Sequence, residues 1–440
     1  MADTDKAIAR RILLGLAAGV AAGVVTLLVA PWSPGLLDGA RWVATHLLDP
    51  FGQVFLRLMF FVVVPLIFSS LAMGMLQLGD LRLLGPLAGR TFLLFFLNMA
   101  IAAVLGLVML NLLEPGAHLS ESARGTLMHE YGGASATLAH PAQSPEMTPA
   151  TIVDMFMPRN LVGAVAGNDR DAIGEMLPLI LFAILVGLAG ASLAPDRREK
   201  LKAGLETLTQ LMTTIVRYAL RLAPYAVPAL IYSVVVKIGF DILRTLGLFI
   251  FGCVTVLLLH LFGTMSLWLR GWTRWRPREF FRAIRDALIT AFSTSSSMAT
   301  LPTAMAIARE RLGISATTTG FVLPLGTTMN MSGTALYEGC VVLFVAQVFG
   351  VDLSIGQQVT LVLLAVLSAV AVAGIPGGAL PLIAGLLATF GLPPDAIGIV
   401  LGIEGLLGAT RTMVNVGSDM VTAAVVDSRQ SRSTEPEIAP

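Results

Sequence analysis

Long apolar runs broken by short polar islands make up this chain, and their lengths predict its elements. About 20 apolar residues carry a helix across the hydrocarbon core. By that measure about eight spans are expected, near residues 12–30, 52–77, 91–113, 177–195, 205–236, 246–269, 318–349 and 395–426. Two further segments, 277–312 and 355–391, are too long for one crossing and too short for two. The first rises apolar to Ser295-Ser296-Ser297 and descends through Leu301-Pro302, and the second does the same around Gly374-Ile375-Pro376-Gly377-Gly378. Both read as re-entrant hairpins. The expected fold class is an all-α polytopic membrane protein, with eight transmembrane helices plus two inverted re-entrant helical hairpins.

Two more polar islands, Asn330-Met331-Ser332-Gly333-Thr334 and Arg411-Thr412-Met413-Val414-Asn415 followed by Asp419, interrupt the seventh and eighth spans. Unpaired backbone groups at bilayer depth cost several kcal/mol each, so non-helical backbone survives there only where protein buries it or a cavity meets it. The islands therefore point to a pocket near the midplane. Paired hairpins of opposite topology are a pattern of secondary transporters, with the site where the tips meet. A pore also tolerates re-entrant loops.

Composition agrees with the class, since 55% of residues are hydrophobic, 13% are charged and the mean hydropathy is +0.80. A formal net charge of +1 gives no reason to expect a nucleic-acid partner. The placement of the positive residues carries more. Arg82 and Arg90, then Arg197, Arg198, Lys200 and Lys202, then Arg270 to Arg285, then Arg429 and Arg432 all follow even-numbered spans, which predicts cytoplasmic termini by the positive-inside rule. Residues 114–150 hold little Lys or Arg and read as an outward loop. Lys6, Arg10 and Arg11 precede the first run without a small-residue cleavage site, so a retained first span is expected. Cys253 and Cys340 lie in apolar stretches and supply neither a disulfide framework nor metal-ligand spacing.

The motifs Ser-Ser-Ser-x-Ala-Thr-Leu-Pro, Pro-Leu-Gly-Thr-Thr-x-Asn-Met-x-Gly-Thr, Ala-Gly-Ile-Pro-Gly and Arg-Thr-Met-Val-Asn-Val-x-x-Asp stand in that order. They resemble the glutamate transporter family, the dicarboxylate/amino acid:cation symporters, from about Lys6 to Val426. The resemblance implies an elevator-type homotrimer in the plasma membrane, the inner membrane if the source is bacterial. Residues 1–90 would be scaffold spans 1 and 2, and 91–113 span 3 of the transport domain. Residues 114–240 would hold the outward loop and scaffold spans 4 and 5. The rest of the transport domain would be 241–426 (span 6, hairpin 1, span 7, hairpin 2, span 8), ahead of a disordered cytoplasmic tail at 427–440.

Arg411 anchors the expected substrate site. A guanidinium inside a span is costly and normally pairs or binds something, and its planar fork suits a carboxylate. The resemblance implies that it grips a substrate carboxylate; the competing reading is a structural arginine paired with Glu404 or Glu338. Thr412, Asn415 and Thr334 match family substrate contacts, although polar residues in spans also serve as interhelical glue. The tips, through Ser296 and Ser297 and through Gly374, Ile375, Pro376, Gly377 and Gly378, would close around the substrate.

Departures from the pattern bear on which substrate. Three residues before Arg411, where amino-acid-transporting relatives carry an ammonium-accepting aspartate, stands Gly408, and the basic residue that balances that aspartate is missing at Ser295 and Ala409. A buried ammonium without a counter-charge is expensive. The expected substrate is therefore a dicarboxylate without an amino group, of the succinate, fumarate or malate type, as in the C4-dicarboxylate branch; an acidic amino acid is the alternative, and an anion channel a distant one. For Na⁺, Asp419, Asn330, Asn415 and the Gly326 carbonyl match one family site, and a second would lie near Thr328 and Met331. A third looks abolished, with Ser332 in place of an aspartate and Phe95, Asn98 and Met99 in place of the third-span ligands. Glu338 matches the glutamate of proton-coupled relatives, since burial favours the neutral carboxyl, and Glu404 is a second proton-coupling candidate. The coupling ions are thus Na⁺, at one or two sites, and/or H⁺, with no organic cofactor; the other partners are a small anionic substrate and membrane lipid. The histidines show no pattern near the serine tip, and neither G-x-S-x-G nor H-E-x-x-H occurs, so the chain does not read as an enzyme.

Overall fold

A computed structural model describes residues 2–33, 35–80, 85–131, 153, 157–166, 176–372 and 377–434. Among these, every regular element is helical. In chain order they are α1 (Ala2–Val29), α2 (Leu36–Val43), α3 (Asp49–Phe61), α4 (Val63–Asp80), α5 (Gly85–Leu113), α6 (Glu121–Tyr131), α7 (Leu161–Ala166), α8 (Met176–Ala191) and α9 (Pro195–Ile238). There follow α10 (Phe240–Leu259), α11 (Met265–Trp272), α12 (Pro277–Thr294), α13 (Ser297–Glu310), α14 (Ala316–Met329), α15 (Ser332–Phe349), α16 (Ile355–Ala371), α17 (Leu380–Thr389), α18 (Ile397–Leu401) and α19 (Glu404–Thr434).

Among the described residues, six helical stretches are long and apolar enough to cross a membrane: Leu14–Trp32, Leu36–Leu76, Leu87–His118, Pro195–Ile238, Phe240–Trp272 and Ala316–Val348. A seventh candidate is α18 with α19, bent by 90°. The chain is a polytopic membrane protein. The fourth expected span is a shorter apolar helix, Pro178–Ala191. Around the second expected span, α3 and α4 meet at Val62, and the apolar helical stretch starts at Leu36 rather than at residue 52. The tail expected from residue 427 is a further difference: α19 continues to Thr434, and Asp427 accepts hydrogen bonds from Ser315 N (3.2 Å) and Ser315 Oγ (2.7 Å). The last helix is thus tied to the start of α14.

Helices pair in two groups. In one, α1 packs along α9 and α4 against α8. Gly15, Gly19 and Gly23 recur every fourth residue on α1 and bring its backbone against Pro224, Pro228, Ile231 and Val235 of α9, the close approach that small residues permit between membrane helices. In the other group α5 packs on α15, and α12 and α14 on α19. Breaks concentrate in the second group. The α12–α13 tip is made by Ser295, at φ 49° in the left-handed region, and by Ser296, whose hydroxyl caps α13 by accepting from Ala299 N (3.2 Å). Ser354 and Gln357 form a reciprocal cap that starts α16, satisfying amides that would otherwise be orphaned. Between α14 and α15, Asn330 and Met331 leave the helical region, and Gly402-Ile403 separates α18 from α19.

Candidate functional site

The polar islands at the breaks of the first hairpin and the seventh span pack on α19, whereas the island Arg411–Asn415, expected to interrupt the eighth span, lies within the unbroken helix Glu404–Thr434, and the break falls before it at Gly402-Ile403. Arg411, buried at 5% exposure, donates from Nη2 to Glu404 Oε1 at 2.8 Å. They stand seven residues apart, two turns of the same helix, which is why they meet. The guanidinium carbon lies 5.0 Å from the centroid of the Tyr337 ring on α15, a cation–π geometry. Arg411 Nη1 and Glu404 Oε2 are buried without hydrogen-bond partners among the described residues. A buried group left unpaired costs about 1–3 kcal/mol. The pair is therefore charge-balanced, with one donor, Arg411 Nη1, and one acceptor, Glu404 Oε2, left open; a carboxylate can satisfy the first, and only a hydrogen-bond donor the second.

Gly408 lies beside it. A Cβ at Gly408 would sit 3.3 Å from Glu404 Oε1 and 3.8 Å from Arg411 Nη2. The space that a side chain would take at this position is bordered by the carboxylate of Glu404, expected from the sequence as a proton-coupling candidate or as the partner of Arg411, and found here as that partner. Thr412 is buried one residue on, its hydroxyl donating to Gly408 O at 2.9 Å.

Asn415 is held by two hydrogen bonds to α15. Its Oδ1 accepts from Gly333 N at 2.8 Å and its Nδ2 donates to Thr334 Oγ1 at 3.2 Å. Those two bonds clasp the start of α15, satisfying an amide that the break exposes. Thr334 Oγ1 in turn lies 3.9 Å from Met331 Sδ. Thr328 donates to Leu325 O at 3.0 Å, within its own helix.

Asp419, two turns below Arg411, is the second charged centre. Its Oδ1 accepts from Asn330 Nδ2 at 2.9 Å, and the same nitrogen donates to Ser418 Oγ at 3.1 Å. Both donors of that amide are then used and Asn330 Oδ1 has no partner. Gly326 is in direct apposition: a Cβ there would fall 2.3 Å from Asp419 Oδ1, so only a glycine lets the carboxylate lie against the α14 backbone. Its carbonyl already accepts from Asn330 N at 3.0 Å. A buried carboxylate, a donor-free amide oxygen and a helix-terminal carbonyl are the hard oxygen donors that suit a small cation. A small cavity lined by Ser297, Leu301, Ala304, Leu323, Thr327, Val416 and Asp419 links this carboxylate to the α12–α13 tip.

The Ser296 carbonyl is bound by Thr300 Oγ1 at 2.9 Å and by Thr294 Oγ1 at 3.3 Å, so that carbonyl is occupied within its own hairpin while Ser297 borders the cavity. In the second hairpin Gly377 adopts φ 72°, and a Cβ there would meet Leu220 of α9 at 3.1 Å. Gly378 is buried. Gly374, Ile375 and Pro376 lie outside the described residues.

Glu338, on α15, is fully buried with neither carboxyl oxygen hydrogen-bonded among the described residues; Ser368 of α16 and Arg411 are the neighbours that act on it. Sequence reading missed two participants. Tyr337 is the ring under Arg411, and its spacing of three from Thr334 was the available signal. Asn98, read as a lost ligand on the third span, donates to Ser418 Oγ (3.3 Å) and Thr422 Oγ1 (3.1 Å) and so ties α5 to α19 beside Asp419. Ser332 Oγ is buried there without a partner, and Phe95 and Met99 are buried apolar residues.

Comparison with known proteins gives the family. Residues 8–429 match the sodium:dicarboxylate symporter family. The proton/glutamate-aspartate symporter of Escherichia coli is 30% identical over 398 residues, covering 88% of this chain and 86% of that protein. The proton/sodium-glutamate symport protein of Bacillus caldotenax is 29% identical, over 97% of this chain and 96% of its own. A C4-dicarboxylate transport protein of Bacillus subtilis is 28% identical, over 90% of each.

Proposed function

From the premise that this chain belongs to the sodium:dicarboxylate symporter family, we propose that it is a secondary active symporter for a C4-dicarboxylate without an amino group, of the succinate, fumarate or malate type, driven by Na⁺ and/or H⁺. The observation that carries the substrate reading is the buried Arg411 with a free Nη1 beside Gly408. One carboxylate of the substrate binds that nitrogen. Position 408 brings no carboxylate of its own to receive an ammonium, and an ammonium without one is costly at this depth.

Transport then runs as follows. The substrate enters between the two tips, where Ser297 and Gly377-Gly378 line its path and Thr412 and Thr334 offer hydroxyls. A cation held by Asp419, Asn330 Oδ1 and the Gly326 carbonyl balances the negative charge, and a second lies near Thr328 and Met331. With Ser332 in place of an acid, Asp419 is the one charge among these oxygens, which supports a low sodium count. Asn415 acts here by holding the broken seventh span open. Glu338 carries a proton, protonated when the loaded transporter moves.

The separate packing of α1 with α9 and of α5, α12, α14, α15 and α19 together supports a scaffold of spans 1, 2, 4 and 5 and an elevator of spans 3, 6, 7, 8 and both hairpins, as a trimer with eight spans and both ends cytoplasmic. Arginine-rich loops after even-numbered spans support that orientation in a plasma or bacterial inner membrane.

A second reading, an acidic amino acid, rests on one specific observation. Glu404 Oε2 is buried and unpartnered, and its carboxylate lies by Gly408, so it is placed to receive an ammonium in the substitute position. Two of the relatives above are named for glutamate. Uptake of radiolabelled succinate and aspartate into proteoliposomes, each under an inward Na⁺ or proton gradient alone, separates the readings. Succinate accumulation without aspartate accumulation is expected. Aspartate accumulation that disappears in Glu404→Gln would establish the second reading instead, and equilibration without accumulation would make the protein a channel.

A further inference from the structure

The strongest charged patch outside the transport site lies between α11 and the middle of α12. Residues 270–285 contain Arg270, Arg274, Arg276, Arg278, Arg282 and Arg285, all exposed, with Glu279 as the one acid in that stretch. Arg276 meets Glu279 only at 3.9 Å across a solvent-exposed gap, and Arg285 shares Asp286 with Arg311, which takes it at 2.7 Å. Arg270, Arg274, Arg278 and Arg282 have no ion-pair partner among the described residues. Their concentration at the end of a span makes a positive surface that attracts anions.

The helix face specifies which anion. Arg278, Arg282 and Arg285 stand at i, i+4 and i+7 on α12, one stripe of a 3.6-residue helix. That stripe continues through Ile289 and Phe292, at i+11 and i+14, which are 61% and 41% exposed. The opposite face, with Phe280, Ile284, Ala287 and Ala291, is fully buried. The exposed stripe thus changes from arginine to large apolar side chains within one turn, roughly 6 Å of rise. Trp268, Trp272 and Trp275 adjoin the charged end, with Trp268 and Trp272 in edge contact at 4.4 Å. Indoles of this kind favour the headgroup level, and guanidinium forks bind phosphate bidentately.

We infer that this surface is a binding site for an anionic phospholipid. The phosphodiester and its neighbours on the headgroup sit on Arg278, Arg282 and Arg285, and an acyl chain lies along Ile289 and Phe292. A free phosphate satisfies the arginines and leaves the apolar end of the stripe without an occupant; a lipid covers both. The site lies on the hairpin that also borders Asp419, so lipid binding and transport share an element, but the assignment stands without any choice of substrate.

The test uses the full chain with Trp32→Phe and Trp42→Phe, so that Trp268, Trp272 and Trp275 alone report. Reconstituted in vesicles, their fluorescence is quenched by phospholipid brominated in its acyl chains, either phosphatidylglycerol or phosphatidylcholine. Quenching is expected at a lower mole fraction of the anionic lipid, by roughly fivefold for each arginine engaged and so about 100-fold for all three. Arg278→Gln, Arg282→Gln and Arg285→Gln together should bring the ratio close to one, and the three lysine substitutions should keep most of it. Excess inorganic phosphate should leave the ratio unchanged. Equal quenching by the two lipids in the parent protein overturns the inference without need of any variant; retention of the preference in the glutamine variant, or its loss to inorganic phosphate, overturns it as well. Because quenching reads lipid contact and not uptake, failure here leaves the transport reading intact, and failure of that reading leaves this one.

Discussion

The first and seventh spans show opposite ways for a helix to sit in a membrane protein. Of the apolar window of α1, 11% is buried within the chain, whereas for α14 and α15 the share is 94%. The first is an unbroken helix whose exposed Leu14, Val25 and Leu28 meet the surroundings, and it keeps to α9 through glycines. The second is broken at Asn330-Met331 and carries Asn330, Ser332, Thr334 and Glu338. Polar groups and open backbone are tolerated where other helices enclose them, since lipid offers no partner. Enclosure is what permits the break, and the break is what makes amides, carbonyls and hydroxyls available for binding.

The comparison is broken first at its charged centre. Arg411→Ala leaves Glu404 buried without its cation, and losses of about 2–5 kcal/mol accompany such truncations. Uptake in proteoliposomes is expected to fall to background, with the protein still eluting as the parent does in size-exclusion chromatography. An active Arg411→Ala protein would remove the anchor of the substrate site.

Two glycine substitutions, one in each region, test what enclosure is for. Gly326→Ala drives a methyl into Asp419, and Gly19→Ala drives one to 2.5 Å from Ile231 Cγ2. Both are overpacking changes, costing about 1–3 kcal/mol. They are expected to part in kind: sodium-dependence of uptake weakens in Gly326→Ala, while Gly19→Ala lowers the thermal unfolding temperature and leaves the apparent Na⁺ affinity alone. Asn330→Ala removes a hydrogen bond to the proposed ligand carboxylate, and about 10–100-fold weaker Na⁺ activation is expected for a change of that sort.

Glu338→Gln sharpens the comparison further, because it keeps shape and removes the proton-carrying group. With Glu338 present, lowering the external pH should raise uptake, since protonation precedes inward movement; the variant should respond to Na⁺ and be flat across pH. Unchanged pH dependence would shift the proton to another group. At the small end, Val25→Leu on the exposed face of α1 should stay within about 0.5 kcal/mol of the parent in stability, with uptake unaltered.

Much of the architecture was legible along the chain because hydrophobic length is a local property. The runs placed the first, third and fifth spans, and the serine run placed the α12–α13 turn at Ser295-Ser296. Less was legible where the chain bends. Glycine and isoleucine at 402–403 give weak notice of a 90° bend, and the need for glycine there comes from a distant segment: a Cβ on Gly402 would meet Leu16 of α1 at 2.9 Å. The reach of α19 to Thr434 was hidden for a similar reason, because charged residues past Val426 look like a tail until Asp427 finds Ser315.

By itself, then, the sequence determined the class of molecule and the breaks at Ser295-Ser296 and Asn330-Met331 with their residue types, for these follow from the cost of polar groups in hydrocarbon, but not the break at Gly402-Ile403. Tertiary structure decided the partners. It set Tyr337 beneath the guanidinium of Arg411, used Asn415 as a clasp and brought Asp419 against Gly326, pairings across breaks and between helices that no periodicity encodes, whereas Arg411 and Glu404 meet along a single helix. Burial energy depends on how many apolar residues a segment holds, which composition records, whereas a hydrogen bond depends on where two atoms end up, which packing alone decides.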